Sequence, residues 1–195
     1  MNIPGGYGQY IRVPADWVVK LPENLSLIEI MIYGTAGFTA ALSVYKLIAS
    51  GITPSDGDIL VTGATGGVGI SAVSILAKLG YSVIATTGKP DAKDMLLGIG
   101  AKDIIFRGEI DDKSRITLLK GRWAGVIDTV GGTILASALK STRYGGSVAS
   151  PGLLTTVYPF ILRGISLFGV DFVQCPMDLR LKHGICFQMN GNPII

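Results

Sequence analysis

Four glycines fall within seven residues, at positions 63, 66, 67 and 69, between two apolar segments. The surrounding stretch, residues 61–89, reads VTGATGGVGISAVSILAKLGYSVIATTGK. Glycine weakens the interior of both helices and strands, because it loses the most conformational freedom when it is ordered. We therefore expect the cluster to form a turn between a strand and a helix. This strand–turn–helix unit constrains the fold more than any other feature of the sequence.

Short apolar runs alternate with helix-length segments on both sides of this turn. The predicted strands are, in chain order, DILVTG, YSVIATTG, KDIIF, AGVIDTVG, GGSVASPG and ISLFGVD. The predicted helices between them are GISAVSILAKLG, PDAKDMLLGIGA and TILASALKSTR. This alternation predicts an α/β fold with a doubly wound parallel sheet, and the Rossmann arrangement is the favoured topology. A content of 48% hydrophobic and 16% charged residues agrees with strands that are covered on both faces.

A glycine-rich turn that opens a helix is an anion-binding structure. The free N–H groups of the first helical turn point outward, and the helix dipole adds partial positive charge. Residues 64–69, ATGGVG, fit the dinucleotide fingerprint with its first glycine replaced by alanine. We expect Gly66 to let the backbone approach a pyrophosphate, Gly69 to let the helix pack on the strand, and Thr65 to offer a hydroxyl. The alternative is a tight turn without a ligand, which the strand–turn–helix order disfavours.

The end of the second predicted strand discriminates between NAD and NADP. An acidic residue there binds the ribose hydroxyls of NAD, whereas basic and hydroxyl groups accommodate the 2′-phosphate of NADP. The chain has Thr87, Gly88 and Lys89 at this point and no acidic residue before Asp91. Arg107, after the third predicted strand, is a second candidate cation for the phosphate, with a solvated loop arginine as the alternative. The sequence therefore predicts NADPH rather than NADH.

The same turn also matches the pattern T-G-x-x-x-G-x-G of short-chain dehydrogenases, over residues 62–69. That family places the turn near its N-terminus and uses a Tyr-x-x-x-Lys pair as general acid. Here the turn lies well inside the chain, and none of the seven tyrosines is followed by lysine four positions later. The short-chain alternative is therefore disfavoured.

Six segments together resemble the medium-chain dehydrogenase/reductase superfamily, and most of all its zinc-free branch of quinone-oxidoreductase-like acrylyl-CoA reductases. They are PADWVVKLPENLS, GTAGFTAALSVYKL, VTGATGGVG, WAGVIDTVGG, YGGSVASPGL and TTVYPFILRGISLFGVD, between Gly5 and Arg180. The resemblance implies hydride transfer from NADPH to the β-carbon of a short enoyl-CoA such as acrylyl-CoA, or to a quinone-like enone. It also implies a zinc-independent enzyme in the cytoplasm.

The resemblance carries cofactor contacts over to ten positions of this sequence. The contacts expected at the pyrophosphate are Thr65, Gly66, Gly67 and Val68. Those expected around the adenosine phosphate are Thr87, Gly88, Lys89 and Arg107. Leu153 and Ile161 fall on segments that flank the nicotinamide half. The family usually has arginine where Lys89 stands, so that a bidentate phosphate clamp is replaced by a point charge.

The same resemblance divides the chain into three regions. Residues 1–26 are expected to be a remnant of an N-terminal GroES-like catalytic β-domain with its linker, because YGQYIRVPADWVVKLPENLS is typical of a last strand or hairpin. Residues 27–181 are expected to form the NADP-binding Rossmann domain, and residues 182–195 an aberrant or disordered tail that leaves the family pattern. We therefore expect a chain truncated at both ends, whose alternative function is NADPH binding without catalysis.

Composition and charge disfavour other partners. The net charge of +3 is scattered without a basic run, so nucleic acid is not expected. Two cysteines and one histidine offer no credible zinc tetrad, and the N-terminus lacks a signal-peptide pattern. The apolar stretch 27–50 is interpreted as a buried pair of helices rather than a membrane span, because charged residues and glycines interrupt it. A soluble cytoplasmic protein with a small-molecule substrate is expected.

A few further residues are weighed individually. Asp128 ends the fourth predicted strand, where ligands bind in open α/β sheets, and is either a catalytic acid or, as we favour, a carboxylate that caps the next turn. Cys175, Cys186 and His183 receive no role, and no catalytic residue is assigned, because the cofactor carries hydride chemistry. Relatives imply a homodimer through an edge strand. The segment ISLFGVD is the candidate edge, although the sequence leaves dimerisation open.

Overall fold

The computed structural model describes residues 8–23, 25–114, 116–150, 156–171, 173 and 175–184. The strands in this part of the chain are β1 Ile59–Val61, β2 Val83–Thr87, β3 Asp103–Phe106, β4 Trp123–Ile127, β5 Thr142–Ser150 and β6 Ser166–Gly169. They form one parallel sheet in the order β3-β2-β1-β4-β5-β6. This is the Rossmann order, so the predicted fold class is confirmed.

The helices of the described residues are α1 Leu27–Ala49, α2 Gly67–Lys78, α3 Lys93–Gly98, α4 Arg107–Ile110, α5 Gly132–Lys140, α6 Tyr158–Arg163 and α7 Met177–Gly184. The three helices predicted between strands correspond to α2, α3 and α5. A short 3-10 turn, Pro90–Ala92, leads into α3. The helix α7 continues to Gly184, past the predicted domain boundary between residues 181 and 182.

The sheet separates two apolar layers. Side chains alternate along the central strand β1, so that Ile59 and Val61 face one layer and Leu60 faces the other. The first layer is completed by α1 and α2, which meet over β1. The second is completed by α5, whose Leu135 and Leu139 are fully buried. Both faces of the sheet are therefore covered, as the apolar strand sequences predict.

The helix α1 consists of two segments that meet at Gly34, where φ is 43° and ψ is −146°. Ser26 caps the first segment, and Glu29 completes a reciprocal capping box. That segment exposes its apolar side chains, with Met31 77% exposed, whereas the second segment buries Ala40, Ala41, Leu42, Val44 and Leu47. The predicted buried pair of helices is therefore wrong for the first segment, because Leu27, Ile28, Met31 and Ile32 are exposed in the part of the chain that the structure describes. By length and composition α1 could cross a membrane.

The N-terminal residues 8–23 contain one 3-10 turn, Ala15–Trp17, and no strand. The expected strand or hairpin is therefore not formed in this part of the chain, because a strand needs a partner to complete its hydrogen bonds. Assignment of residues 1–26 to a β-domain remnant stays a prediction. Residues 1–7, and the predicted tail from residue 185 onwards, lie outside the described residues.

An ion pair anchors the segment between α4 and β4 to α5. Asp112 Oδ2 lies 2.9 Å from Lys140 Nζ, and the two side chains are only 14% and 18% exposed. Asp112 Oδ1 also accepts the backbone N–H of Ser114 at 3.0 Å. Hydrogen bonds from Ser114, followed by that from the Lys140 ammonium, lower the pKa of Asp112 to about 2.

We predict that this carboxylate makes folding stability depend on acid pH. A carboxylate whose pKa is lower in the folded than in the unfolded state, where it is about 3.9, stabilises the fold only while it is ionised. Its contribution should be complete above about pH 4 and be lost as the pH falls towards about 2. In urea unfolding, Asp112→Asn should have a lower free energy of unfolding than the wild type at neutral pH. As the pH falls, this free energy should decrease less in the variant than in the wild type.

The matched control is Asp16→Asn, which changes an exposed carboxylate on the N-terminal 3-10 turn. This variant should keep the pH dependence of the wild type. Parallel pH profiles for Asp112→Asn and the wild type would contradict the role given to the ion pair.

Candidate cofactor site

The candidate site lies at the carboxyl ends of the strands, where the strand order reverses between β1 and β4. In open α/β sheets the crevice at this point is where ligands bind. The glycine turn follows β1, and the loop 128–131 follows β4. The ends of β2 and β3 lie on one side of the reversal, and those of β5 and β6 on the other.

The glycine turn folds tightly because Gly63 adopts a left-handed conformation, with φ of 61°. Gly66 donates its N–H to Gly63 O at 2.9 Å, and Ala64 donates its N–H to Thr86 O at 3.0 Å. The conformation that demands glycine is therefore at position 63 rather than 64. This explains why the fingerprint tolerates alanine at position 64, where the side chain is fully buried.

Two further glycines permit close approaches of backbone and helices. A Cβ atom on Gly69 would lie 2.4 Å from Gly63 O and 2.7 Å from Ala64 Cα. A Cβ atom on Gly67 would lie 3.0 Å from Ala36 Cβ on α1. The absence of these atoms lets α2 begin directly on the turn that follows β1, with α1 beside it. The close packing predicted for Gly69 is confirmed.

The amino end of α2 is open to solvent. Its N-cap residue is Gly66, and no side chain of the described residues caps it. Gly66 and Gly67 are exposed, while Thr65 and Val68 are half-buried beside them. The N–H groups of a first helical turn have no partner within the helix, and they carry the positive end of the dipole. These residues therefore fit the pyrophosphate of a dinucleotide.

The threonines predicted as cofactor contacts connect the glycine turn to the end of β2. Thr65 Oγ1 lies 3.4 Å from Thr87 Oγ1. Thr87 Oγ1 also accepts the backbone N–H of Lys89 at 3.0 Å, and the Thr87 residue is only 2% exposed. The two hydroxyls and the start of the following segment are thus held in one arrangement beside the amino end of α2.

Two cationic residues follow the paired ends of β2 and β3. A Cβ atom on Gly88 would lie 3.5 Å from Cζ of Arg107, so the Arg107 guanidinium lies over the Gly88 backbone. Arg107 begins α4, directly after β3, and Lys89 follows Gly88 in the chain. Both side chains are exposed, and neither forms a salt bridge with a carboxylate of the described residues. The Arg107 guanidinium therefore lies beside Gly88, whereas the cofactor contacts predicted for Gly88, Lys89 and Arg107 stay predictions.

A cavity of about 490 Å³ lies beyond the ends of β5 and β6. It is lined by Leu42, Lys46, Ser150, Gly169, Val170, Asp171, Cys175, Pro176 and Leu179. Lys46 of α1 donates a hydrogen bond from Nζ to Gly169 O at its wall. Sequence reasoning missed this cavity. The one available signal was that Ser150 and Gly169 lie near the ends of the predicted strands GGSVASPG and ISLFGVD.

Of the two residues predicted to flank the nicotinamide half, only Ile161 belongs to the part of the chain that the structure describes. Leu153 lies outside the described residues. Ile161 lies on α6 and is 72% exposed. Its predicted contact with a cofactor stays a prediction.

Asp128 occupies the loop after β4 and is almost completely buried. Its Oδ2 accepts the Gly131 N–H at 2.8 Å and the Ser150 hydroxyl at 2.9 Å. Its Oδ1 accepts the Thr62 hydroxyl at 2.6 Å. The carboxylate caps the turn that it begins, as we favoured, and these hydrogen bonds leave it poorly placed as a proton donor to a substrate.

The described residues do not fit a bound metal. No group of three or more His, Cys, Asp or Glu side chains among them could hold a metal ion. Cys175 is a free thiol at the wall of the cavity, and Cys186 lies outside the described residues. No step of the chemistry is therefore derived through zinc.

The parallel sheet, the glycine turn at its reversal and the open amino end of α2 define a dinucleotide-binding domain of the Rossmann type. A family model described as zinc-binding dehydrogenase matches residues 67–181, more than half of the chain. The chain belongs to this family, which is part of the medium-chain dehydrogenase/reductase superfamily recognised in the sequence.

The curated relatives are oxidoreductases. The chain is 55% identical over 182 residues to the putative quinone oxidoreductase YhfP of Bacillus subtilis, which covers 90% of the chain and 55% of YhfP. It is 48% identical over 184 residues to the acrylyl-CoA reductase AcuI of Ruegeria pomeroyi, which covers 91% of the chain and 56% of AcuI. The chain thus spans about half the length of the curated relatives it matches.

Solved structures share the fold closely. The yhdH oxidoreductase from Salmonella enterica, crystallised in complex with NADP, has a TM-score of 0.91 at 46% identity, over 96% of this chain and 59% of that one. Bacillus subtilis yhfP, crystallised with NAD bound, has a TM-score of 0.88 at 52% identity, over 93% of this chain and 57% of that one.

We predict that Gly69→Ala strongly destabilises the protein. The new Cβ atom would meet backbone atoms that cannot rotate away, so the turn or α2 must shift, at a cost of about 1–3 kcal/mol or more. Urea unfolding should show a lower midpoint. The control is Gly98→Ala at the end of α3, where a Cβ atom meets no heavy atom within 4 Å. This variant should be neutral or slightly more stable, and an equal loss in both variants would contradict the packing argument.

Proposed function

We propose that this chain is the cofactor-binding part of an NADPH-dependent oxidoreductase. The proposed reaction reduces the activated C=C bond of a short enoyl-CoA, such as acrylyl-CoA, or of a quinone-like enone. One observation carries the proposal: Lys89 and Arg107, which form no salt bridge with a carboxylate of the described residues, follow the paired ends of β2 and β3, beside the open amino end of α2. Such an arrangement suits a dinucleotide that bears an additional phosphate on its adenosine ribose.

In the proposed binding mode, the backbone of the glycine turn holds the pyrophosphate and the end of β2 holds the adenosine ribose. The N–H groups of Thr65, Gly67 and Val68 donate to the pyrophosphate, as inferred from the family resemblance. The Gly66 N–H is already bonded to Gly63 O, so this residue contributes the close approach of its backbone. Arg107 offers a planar guanidinium that can bind the 2′-phosphate in a bidentate manner, and Lys89 adds a point charge. The Thr87 hydroxyl accepts the backbone N–H of Lys89 and thereby fixes the position of the Lys89 backbone.

The preference for the phosphorylated cofactor rests on this chain's own cations rather than on its relatives. The Salmonella yhdH structure contains NADP, whereas the Bacillus yhfP structure contains NAD. Family membership is therefore compatible with either dinucleotide. The absence of a carboxylate at residues 86–90 favours NADPH, because an acidic side chain there would repel the 2′-phosphate.

The proposed place of the nicotinamide is the side of the reversal on which β5 and β6 end. When bound, NADPH would supply a hydride for the β-carbon of the enoyl thioester. The contribution of the chain would be to hold the ring in one orientation and to exclude water from one of its faces. The cavity beside Ser150 and Gly169 has apolar walls from Leu42, Val170 and Leu179 that suit this task.

The substrate class is inferred from the names of relatives. AcuI is an acrylyl-CoA reductase and YhfP a putative quinone oxidoreductase. Both names describe the addition of electrons to a conjugated acceptor, which is the basis for proposing an enoyl-CoA or a quinone-like enone. Small-molecule turnover in the cytoplasm is part of the same proposal.

A second candidate function is NADPH binding without catalysis. The observation that supports it is that the residues predicted to hold the pyrophosphate and the adenosine phosphate all lie at the strand ends of this one domain. In this proposal residues 1–26 are a remnant of a β-domain, and residues 182–195 are a tail outside the Rossmann domain of residues 27–181.

A homodimer through the edge of the sheet is also proposed. The strand β6 is an edge strand, as the sequence predicted, and it exposes one row of backbone groups that a second copy can pair with. Leu167 and Phe168 on this strand are half-buried in the single chain. Sedimentation analysis distinguishes a dimer from a monomer. Leu167→Pro is the variant expected to disrupt pairing through β6.

We predict that Arg107→Ala and Lys89→Ala reduce the preference for NADPH over NADH. Titration calorimetry should give a weaker Kd for NADPH by about tenfold for each variant, because each loses a charge-assisted contact worth about 1.5–3 kcal/mol. The Kd for NADH should change little, since that cofactor lacks the 2′-phosphate. The effect of Arg107→Ala should be the larger, because arginine can bind in a bidentate manner.

The matched control is Lys120→Ala, which removes an exposed positive charge from the loop before β4. It should leave both Kd values unchanged. Equal binding of NADPH and NADH by the wild type, or no binding of either, would overturn the proposed cofactor.

Catalysis and binding are separated by a turnover assay. The two proposals share NADPH binding, but only the first predicts a fall in nicotinamide absorbance when acrylyl-CoA or a quinone is added. Saturating NADPH should raise the melting temperature in both, because a ligand that binds only the folded state stabilises it. A rise in melting temperature without turnover supports the binding module.

A further inference from the structure

A buried hydrogen-bond network joins three strands where their order reverses. Asp128 belongs to the loop after β4, Thr62 directly follows β1, and Ser150 ends β5. All three are at most 5% exposed, and both hydroxyls donate to the Asp128 carboxylate, at 2.6 Å and 2.9 Å. One carboxylate therefore fixes the ends of three neighbouring strands relative to one another.

A second set of bonds extends this network to the glycine turn. Thr129 donates its N–H to Thr62 Oγ1 at 3.1 Å, and its hydroxyl donates to Thr62 O at 2.8 Å. A Cβ atom on Gly63 would lie 2.3 Å from Thr129 Oγ1, so this hydroxyl lies against the first residue of the turn. The loop after β4 and the turn after β1 are thus held as one unit, although they are distant in the sequence.

The network requires a carboxylate at position 128 rather than an amide. The Thr62 hydroxyl accepts from the Thr129 N–H, and its single proton points to Asp128 Oδ1. The Gly131 N–H can only donate a hydrogen bond, and it points to Asp128 Oδ2. Both carboxylate oxygens must therefore accept. Asparagine would direct an NH₂ group at one of these donors, because an amide side chain has only one accepting oxygen.

We propose that Asp128 is a positioning residue for the central part of a bound dinucleotide. It acts through Thr62 and Thr129, which hold the glycine turn, and through Ser150, which borders the cavity beyond β5. The proposal rests on the proposed function, since it assumes that a dinucleotide crosses the sheet at this reversal. It adds that the pyrophosphate and nicotinamide ends depend on Asp128, whereas the adenosine phosphate does not.

The two ends of the cofactor can be measured separately. The residues proposed for the 2′-phosphate lie at the ends of β2 and β3, outside the Asp128 network. The probe 2′,5′-ADP carries the adenosine phosphates without the nicotinamide half. Loss of Asp128 should therefore affect NADPH and 2′,5′-ADP differently, whereas a general loosening of the fold would weaken both.

The experiment compares the wild type with Asp128→Asn by titration calorimetry, at a temperature where circular dichroism shows each protein to be folded. NADPH should bind the variant about tenfold more weakly or worse, because several charge-assisted bonds are disturbed. The Kd of 2′,5′-ADP should rise by a clearly smaller factor, because this probe keeps only one phosphate of the pyrophosphate and lacks the nicotinamide half. Thr129→Val removes one hydroxyl at a half-buried position and should weaken NADPH binding by a smaller factor. This variant replaces Asp128→Asn in the experiment if Asp128→Asn does not fold.

The matched control is Asp58→Asn, at a residue that directly precedes the central strand β1 and so lies at the amino ends of the strands, opposite the candidate site. Asp58 accepts hydrogen bonds from the Ser82 hydroxyl at 2.5 Å and from Lys102 Nζ at 3.0 Å. Its loss should lower the melting temperature without changing either Kd. A variant that is merely less stable thus gives a different pattern from one that misplaces the cofactor.

The outcomes separate this inference from the proposed function. Unchanged NADPH binding by a destabilised Asp128→Asn, or equal weakening of NADPH and 2′,5′-ADP, would overturn the positioning role and leave the proposed function intact. A wild-type protein that binds neither ligand would overturn both. Selective weakening of NADPH, absent from Asp58→Asn, is the result that supports the inference.

Discussion

The contact between the start of α2 and the turn after β1 is the constraint on which the site depends. A Cβ atom on Gly69 would lie only 2.4 Å from Gly63 O, so there is no room for a side chain at this position. The helix can therefore begin directly at the strand end, with its amino end open at the reversal of the sheet. A larger residue would move the helix away and would remove the backbone donors from the place where an anion can reach them.

Much of the sheet was predictable because its signals are local. Each strand is a short apolar run bounded by glycine, proline or polar residues, and the glycine turn marks β1 and α2 unambiguously. Parallel topology then places the ends of β2 and β3 side by side, so Arg107 could be expected near Lys89 from order alone. The contact of Arg107 with Gly88 could not, because it depends on how α4 turns the chain after β3.

The predictions that failed concern residues whose structure depends on partners. The first segment of α1 is as apolar as the second, but only the second meets α2. The residues 8–23 have strand-like sequence and no partner strand among the described residues. The Asp128 network and the cavity beyond β5 were missed for a related reason. Thr62, Asp128 and Ser150 are far apart in sequence, and no local pattern indicates that their side chains meet.

The distribution of these features separates cofactor binding from catalysis. The glycine turn, Thr87, Lys89 and Arg107 lie within one rigid set of strand ends, and each is oriented by a neighbour within the described residues. Binding of the dinucleotide can therefore be a property of this domain alone. Turnover also needs a surface that holds the acceptor against the nicotinamide. The exposed apolar side chains of α1, Leu27, Ile28, Met31 and Ile32, show that one side of the domain has no cover among the described residues. In the proposed enzyme, cofactor affinity and turnover should thus respond independently to mutation, the first to changes at the strand ends and the second to changes at the surface that holds the acceptor.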